Sequence, residues 1–171
     1  MLRNVMIDTS VGPLVGVTNG NGVVYVNCTP HALAIYSYDK VTIPCVIPPS
    51  GTVVRVPDEY QPLPEMIPGI PETLNINHPD QCVGLPNPIP GVFIIVSRVA
   101  AEALKIYHRP DIRVPGEPIR NQSGIQIGAC PTYVGEYGRP TYFAERILKD
   151  GLDLAVNGQY GNRFRCDSSL S

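Results

Sequence analysis

The stretch GVFIIVSRVAAEALKIYH, residues 91 to 108, decides the fold class. Its VFIIV run (92–96) is almost continuously apolar, the pattern of a strand buried on both faces rather than one with a solvated side. Ser97 follows at once, and its hydroxyl can accept a hydrogen bond from a first-turn amide, so it is expected to cap a helix over RVAAEALKIYH (98–108). Val99, Ala103, Ile106 and Tyr107 fall at i, i+4, i+7 and i+8, which predicts the face that docks onto the sheet. Pro110 is expected to stop the helix. A buried strand feeding a helix is the one α/β feature of the chain.

Outward from this unit the punctuation is that of short antiparallel strands. LVGVTNGNGVVYVN (14–27) places Asn and Gly between Val-rich runs, a hairpin signal because these residues tolerate the positive φ of tight turns. Leu33 and Ile35 alternate with smaller residues, and VTIPCVI (41–47) alternates Val41, Ile43, Cys45 and Ile47. PPSG (48–51) reads as a turn before a strand over TVVRV (52–56). Pro44 cannot donate to a ladder and belongs at an edge or bulge. On the other side, RVPGEPIRNQSGIQIGA (113–129) gives a Pro-Gly turn, a Ser-Gly turn and a strand with Ile125, Ile127 and Ala129 on one side.

Between Pro57 and Pro90 the composition changes: nine prolines fall in 34 residues, and only ETLNI (72–76) offers a short strand. Such a segment reads as a long surface excursion with polyproline-like stretches, or as an arm lying on a neighbouring subunit, for which proline lowers the ordering cost. At the far end, PTYFAERILKDG (140–151) reads as a short helix pairing Phe143 with Ile147, and LDLAV, Asn157-Gly158 and QYGNRFRC as a hairpin. The expected fold is α+β: short, mainly antiparallel strands in hairpins and a meander, one central helix, and a second short C-terminal helix plus hairpin. Residues 1–130 form the β-rich core domain with its excursion at 57–90, and 131–171 a C-terminal extension.

A chain of 171 residues can bury roughly two thirds of its unfolded surface, so a packed core is expected. Charged residues make up only 16%, which leaves few to solvate an isolated monomer and favours self-association or a partner. Net charge is −2 with no block of like charges, which argues against broad nucleic-acid binding or attraction to anionic membranes. Neither a signal-peptide run nor about 18 consecutive apolar residues occurs, so a product that is not exported through a signal peptide is expected. Five cysteines without a CxxC pair argue for free thiols rather than a disulfide framework. The N-x-S/T triplets at Asn27 and Asn121 then carry no glycosylation meaning.

Two clusters invite chemistry. In VNCTPHALAIY (26–36) Cys28 and His31 are three apart, and HPDQC places His78 and Cys82 four apart, formally a four-ligand zinc set. The order is atypical and neither pair sits on a knuckle, so no metal and no cofactor are expected. Thr-Pro-His reads instead as a turn in which Thr29 bonds nearby backbone, Pro30 sets the strand entry and His31 caps or packs. A Cys28/His31 nucleophile would need an orienting group and an oxyanion site that the sequence does not supply.

The second cluster is Arg98, Arg109, Asp111, Arg113 and Arg120. Arginine forks match phosphate and carboxylates, so with His31 these are the candidate residues for a small anionic ligand such as a nucleotide. The competing reading is structural pairing, Asp111 with Arg109 or Arg113 and Glu117 with Arg120. Ser97 lacks a G-x-S-x-G elbow, and no P-loop, GxGxxG, HExxH or calcium loop is present. A non-enzyme is expected.

In order along the chain, NCTPHALAIY, IPPSGTVVRV, GVFIIVSRVAAEAL and RPDIRVPGEPIRNQSGIQIGA resemble a family of small, largely uncharacterised proteins of bacteria and their phages. There an N-x-T-P-H start, a P-S-G turn, an I-V-S strand end and an R-x-D, P, R, G tail recur in the same order. The resemblance covers residues 25–130, about 60% of the chain. It implies a phage or prophage context and no particular activity. Cys28 stands where an aliphatic residue is commoner, Asn121 where an acid is commoner, and the C-terminal residues run past the usual end. The expected role is a phage- or virus-related interaction protein, virion-associated or accessory. It would act in the virion or host cytoplasm by binding copies of itself or another phage protein, the alternative being nucleotide sequestration.

Overall fold

A computed structural model describes residues 1–134. Along the chain run β1 (Arg3–Thr9), β2 (Gly12–Thr18), β3 (Val24–Asn27), β4 (Leu33–Ile35), β5 (Cys45–Ile47), β6 (Asp58–Leu63) and β7 (Glu72–Asn77). Then come β8 (Val92–Ile95), α1 (Arg98–Leu104), β9 (Ile112–Arg113), β10 (Pro118–Arg120) and β11 (Gln126–Ala129). Among the described residues the fold is β-rich with one α-helix and mixed sheets, the coarse α+β class expected. The expected C-terminal helix and hairpin lie outside the described residues.

The strands form a five-stranded sheet in the order β1-β2-β3-β8-β9, a four-stranded sheet β10-β11-β4-β5, and a separate hairpin β6-β7. β8 organises the first two. Its alternate residues Val92 and Ile94, continued by Val96, join Leu14, Val26, Ala100, Ala101 and Leu104 in the main core beneath α1. On its other side Ile95 packs with Val17 and Ile47, with Tyr25, Leu33, Ile35 and Cys45 closing the space between the sheets. Both faces are thus covered, as the continuous apolar run requires, and each fully buried Ile or Phe contributes about 1.5–3 kcal/mol of transfer free energy.

The β2/β3 hairpin forms as its Asn-Gly turn predicts, with Val17 opposite Tyr25. Gly16 is needed there, because a Cβ would meet the Val24 side chain. At the centre, however, the pairing is parallel, β3 with β8 from Val24↔Val92 to Asn27↔Ile95, and β8 with β9. The meander reading is therefore corrected at the core: α1 carries the chain back so that β9 enters beside β8 in the same direction. Gly91, at φ +79°, starts β8 close to the β2–β3 turn, where a Cβ would strike the Gly22 carbonyl.

Other expectations need correction. TVVRV forms no strand; Arg55 bridges Val83 and the Val54 amide donates to the Cys28 carbonyl. Only Cys45–Ile47 of VTIPCVI pairs, and Pro44 precedes an edge strand, leaving Val41 and Ile43 exposed. Ile125 and Ile127 are exposed, while Ala129 is buried.

The helix begins as read, with Ser97 accepting from the Ala100 amide at 3.2 Å. Of the expected docked face only Ala103 is buried, together with Ala100, Ala101 and Leu104, whereas Val99 is 70%, Ile106 58% and Tyr107 47% exposed. Regular helix ends at Leu104, a 3-10 turn covers Lys105–Tyr107, and His108 at φ +48° breaks the run before Pro110 can. The change of period after 104 throws Ile106 and Tyr107 off the docked stripe.

Candidate functional site

The VNCTPHALAIY turn is organised by a residue that sequence reasoning passed over, Asn27, fully buried at the end of β3. Its Oδ1 accepts from the Thr29 amide at 2.9 Å and hydroxyl at 2.6 Å, and its Nδ2 donates to the carbonyls of His31 at 2.7 Å and Ile47 at 3.2 Å. One side chain therefore ties β3, the Thr-Pro-His turn and β5 together. The signal was present, since Asn and Thr two apart in front of proline form an Asx-type turn.

Cys28 lies in the main core with Sγ 3.5 Å from Ser50 Oγ, and burial pushes its thiol up despite that contact. His31 is exposed, so the turn offers its carbonyl and not its ring to Asn27 and Thr29. His78 stands 3.8 Å from Glu59, and Cys82 packs at the edge of the core. Among the described residues no group of three or more His, Cys, Asp or Glu is placed to hold a metal.

The arginines are distributed among separate tasks. Arg109 donates from Nε and Nη2 to the two carboxylate oxygens of Asp111, at 2.8 and 2.6 Å, and from Nη2 to the Pro86 carbonyl at 2.9 Å. Asp111 is 1% exposed, so this fork is a desolvated pair that fastens the proline-rich segment to the start of β9. Arg113, also buried, lies with its guanidinium 4.5 Å over the Phe93 ring and donates to the Pro110 and Ile112 carbonyls. Arg98 donates to the Tyr133 hydroxyl at 3.1 Å. Arg120 donates to the Gly124 carbonyl and not to Glu117, which pairs with Lys40 at 3.8 Å. The expected Glu117–Arg120 pair is thus replaced, because the β10–β11 turn presents a carbonyl to Arg120.

At the margin of the apolar cluster around Ile95 opens a pocket of about 260 Å³, lined chiefly by Val17, Val23, Tyr25, Ile35, Cys45 and Ile47. Burial pushes the Cys45 thiol up as well, which leaves it a weaker nucleophile than an ordinary cysteine at neutral pH.

The most unusual feature is the segment read as a proline-rich excursion. It is a regular hairpin, paired from Asp58↔Asn77 to Leu63↔Glu72, although Pro62 sits within β6. In a two-stranded ribbon every residue is at an edge, so proline is tolerated there. Residues 58 to 75 are all exposed, including Tyr60, Leu63, Met66, Ile67, Ile70 and Leu74, with Met66 at 83%. Side-chain bonds such as Asn75 to Asp58 and Tyr60 run between its own strands. Four carboxylates, Asp58, Glu59, Glu65 and Glu72, and no Lys or Arg lie in this arm. Its ends meet at the body, where the His78 amide donates to the Pro57 carbonyl at 2.8 Å.

No family model, curated protein or solved structure matches the chain. No helix among the described residues is long and apolar enough to cross a membrane.

Proposed function

We propose that this chain is a non-catalytic, phage- or virus-related interaction protein that works by assembling with copies of itself through the β6–β7 arm, in the virion or the host cytoplasm. The observation that carries this reading is the arm itself: eighteen consecutive exposed residues with six large apolar side chains among them. A two-stranded ribbon alone is marginally stable in water, and contiguous exposed apolar surface marks an interaction site. The low charge of the chain agrees with that, and the phage context rests on the resemblance of residues 25–130. Binding of a small anion has less support, because Arg109 and Arg120 are engaged with Asp111 and backbone carbonyls.

Because the arm's ends adjoin, residues 59–76 can be replaced by a tight turn without moving the body. Light scattering of both proteins tests the reading: the intact chain should exceed its 18.6 kDa monomer mass and the armless one should not.

A further inference from the structure

Resting on that reading, we infer that the arm of one copy docks on the outer side of α1 and the following 3-10 turn of a second copy, and that two copies exchange arms reciprocally. The residues of that side are those that spacing suggested as core, apart from Ala103, which is buried. Val99, Ile106 and Tyr107 stand outward at 70, 58 and 47% exposure, while Ala100, Ala101 and Leu104 fill the core side. Exposed large apolar residues rimmed by polar ones mark an interaction site. In this chain the site is not covered by the arm of the same molecule, since arm and helix face are both exposed.

Charge identifies the occupant. The arm is purely acidic, with four carboxylates and no cation. The helix side carries Arg98, which also meets the Tyr133 hydroxyl, and Lys105, each next in sequence to an exposed apolar residue, with Glu102 as the one acid, held 4.0 Å from Lys105, so that its net charge is positive. Apolar residues of the arm tip then meet apolar residues of the helix, with opposite charges at the rim, the arrangement that sets register and partner choice in protein interfaces. Size selects reciprocity. A standard interface engages about 20–30 residues a side, more than one arm on one seven-residue helix supplies to the helix side. In a two-fold pair each copy contributes both an arm and a helix face, which reaches that range and closes the assembly.

The test is a charge exchange between full-length chains. One variant carries Arg98→Glu and Lys105→Glu, the other Glu59→Lys and Glu72→Lys; all four positions are exposed, and thermal melts confirm folding. Each alone should assemble at least tenfold more weakly than wild type in sedimentation velocity, whereas an equimolar mixture should restore a one-to-one pair, because both arm-to-helix contacts are again between opposite charges. A helix-face variant that assembles as well as wild type, or a mixture that stays monomeric, overturns the docking site while leaving the arm reading intact. A wild-type monomer at all concentrations overturns both.

Discussion

Arg109 grips Asp111 with two parallel hydrogen bonds, 2.8 and 2.6 Å long, and with the same Nη2 holds the Pro86 carbonyl at 2.9 Å. The two ends of the R-x-D segment, two positions apart, thereby fasten a loop more than twenty residues away. Replacing Arg109 by alanine leaves a carboxylate that is 1% exposed without its cation. The expected loss is about 3 kcal/mol, the low end of the range for a broken buried pair because the Arg109 side chain is itself 14% exposed. Adding Asp111→Leu should recover much of that loss, since the uncompensated charge is then gone. Urea unfolding of the two variants checks this; a double variant weaker than R109A would contradict it.

Asn27 makes a complementary case with no charge. Its amide satisfies partners on two segments, the turn and β5, so Asn27→Ala should cost about 1–3 kcal/mol for each buried group left unsatisfied, the Thr29 amide and the Ile47 carbonyl foremost. His31→Ala should stay within about 0.5 kcal/mol, because the exposed ring takes no part and the carbonyl is retained. Equal losses in chemical denaturation would refute the assignment of the turn to Asn27.

The helix faces can be told apart in the same way. Leu104→Ala opens the main core and should cost about 2–5 kcal/mol, whereas Val99→Ala, on the exposed side, should change monomer stability by about 0.5 kcal/mol or less. Thermal melts at a dilution low enough to separate copies provide the comparison. The reverse order would reinstate the docked face that spacing alone suggests.

Alkaline pH probes Cys28. Burial raises its thiol above the ordinary 9.0, so the folded chain keeps it protonated while the unfolded chain releases the proton. The stabilisation is complete below pH 9.0 and is lost as pH climbs from there toward the folded value. Cys28→Ala should flatten this fall relative to wild type when unfolding free energies are measured at pH 7 and pH 10. An unchanged slope would mean that the thiol is not desolvated.

What could be read in advance follows from how local each signal is. The β2–β3 turn, the strand at Val92–Ile95 and the Ser97 cap are written in neighbouring residues, and all three form as read. The parallel pairing of β3 with β8 joins residues some seventy positions apart and leaves no local trace. β1 escaped notice because, as an edge strand, it needs no buried stripe: only Val5, Ile7 and Thr9 are half-covered. β6 escaped because its proline and carboxylates contradict strand preference, which an isolated ribbon does not enforce. The Arg109–Asp111 pair was legible because its members stand two apart in the chain, whereas the partner of Arg120 is a backbone carbonyl set by a turn, that of Gly124.

Assembly through the arm requires that another copy cover β6 and β7. Amide hydrogen exchange across Asp58–Asn77, followed from high to low protein concentration, measures this directly, because an isolated ribbon opens readily and a covered one does not. The predicted result is slow exchange in both strands at high concentration that accelerates on dilution, while the amides of Val92–Ile95 keep their protection. Exchange in the arm that is fast at every concentration, or slow and indifferent to dilution, would contradict assembly through the arm.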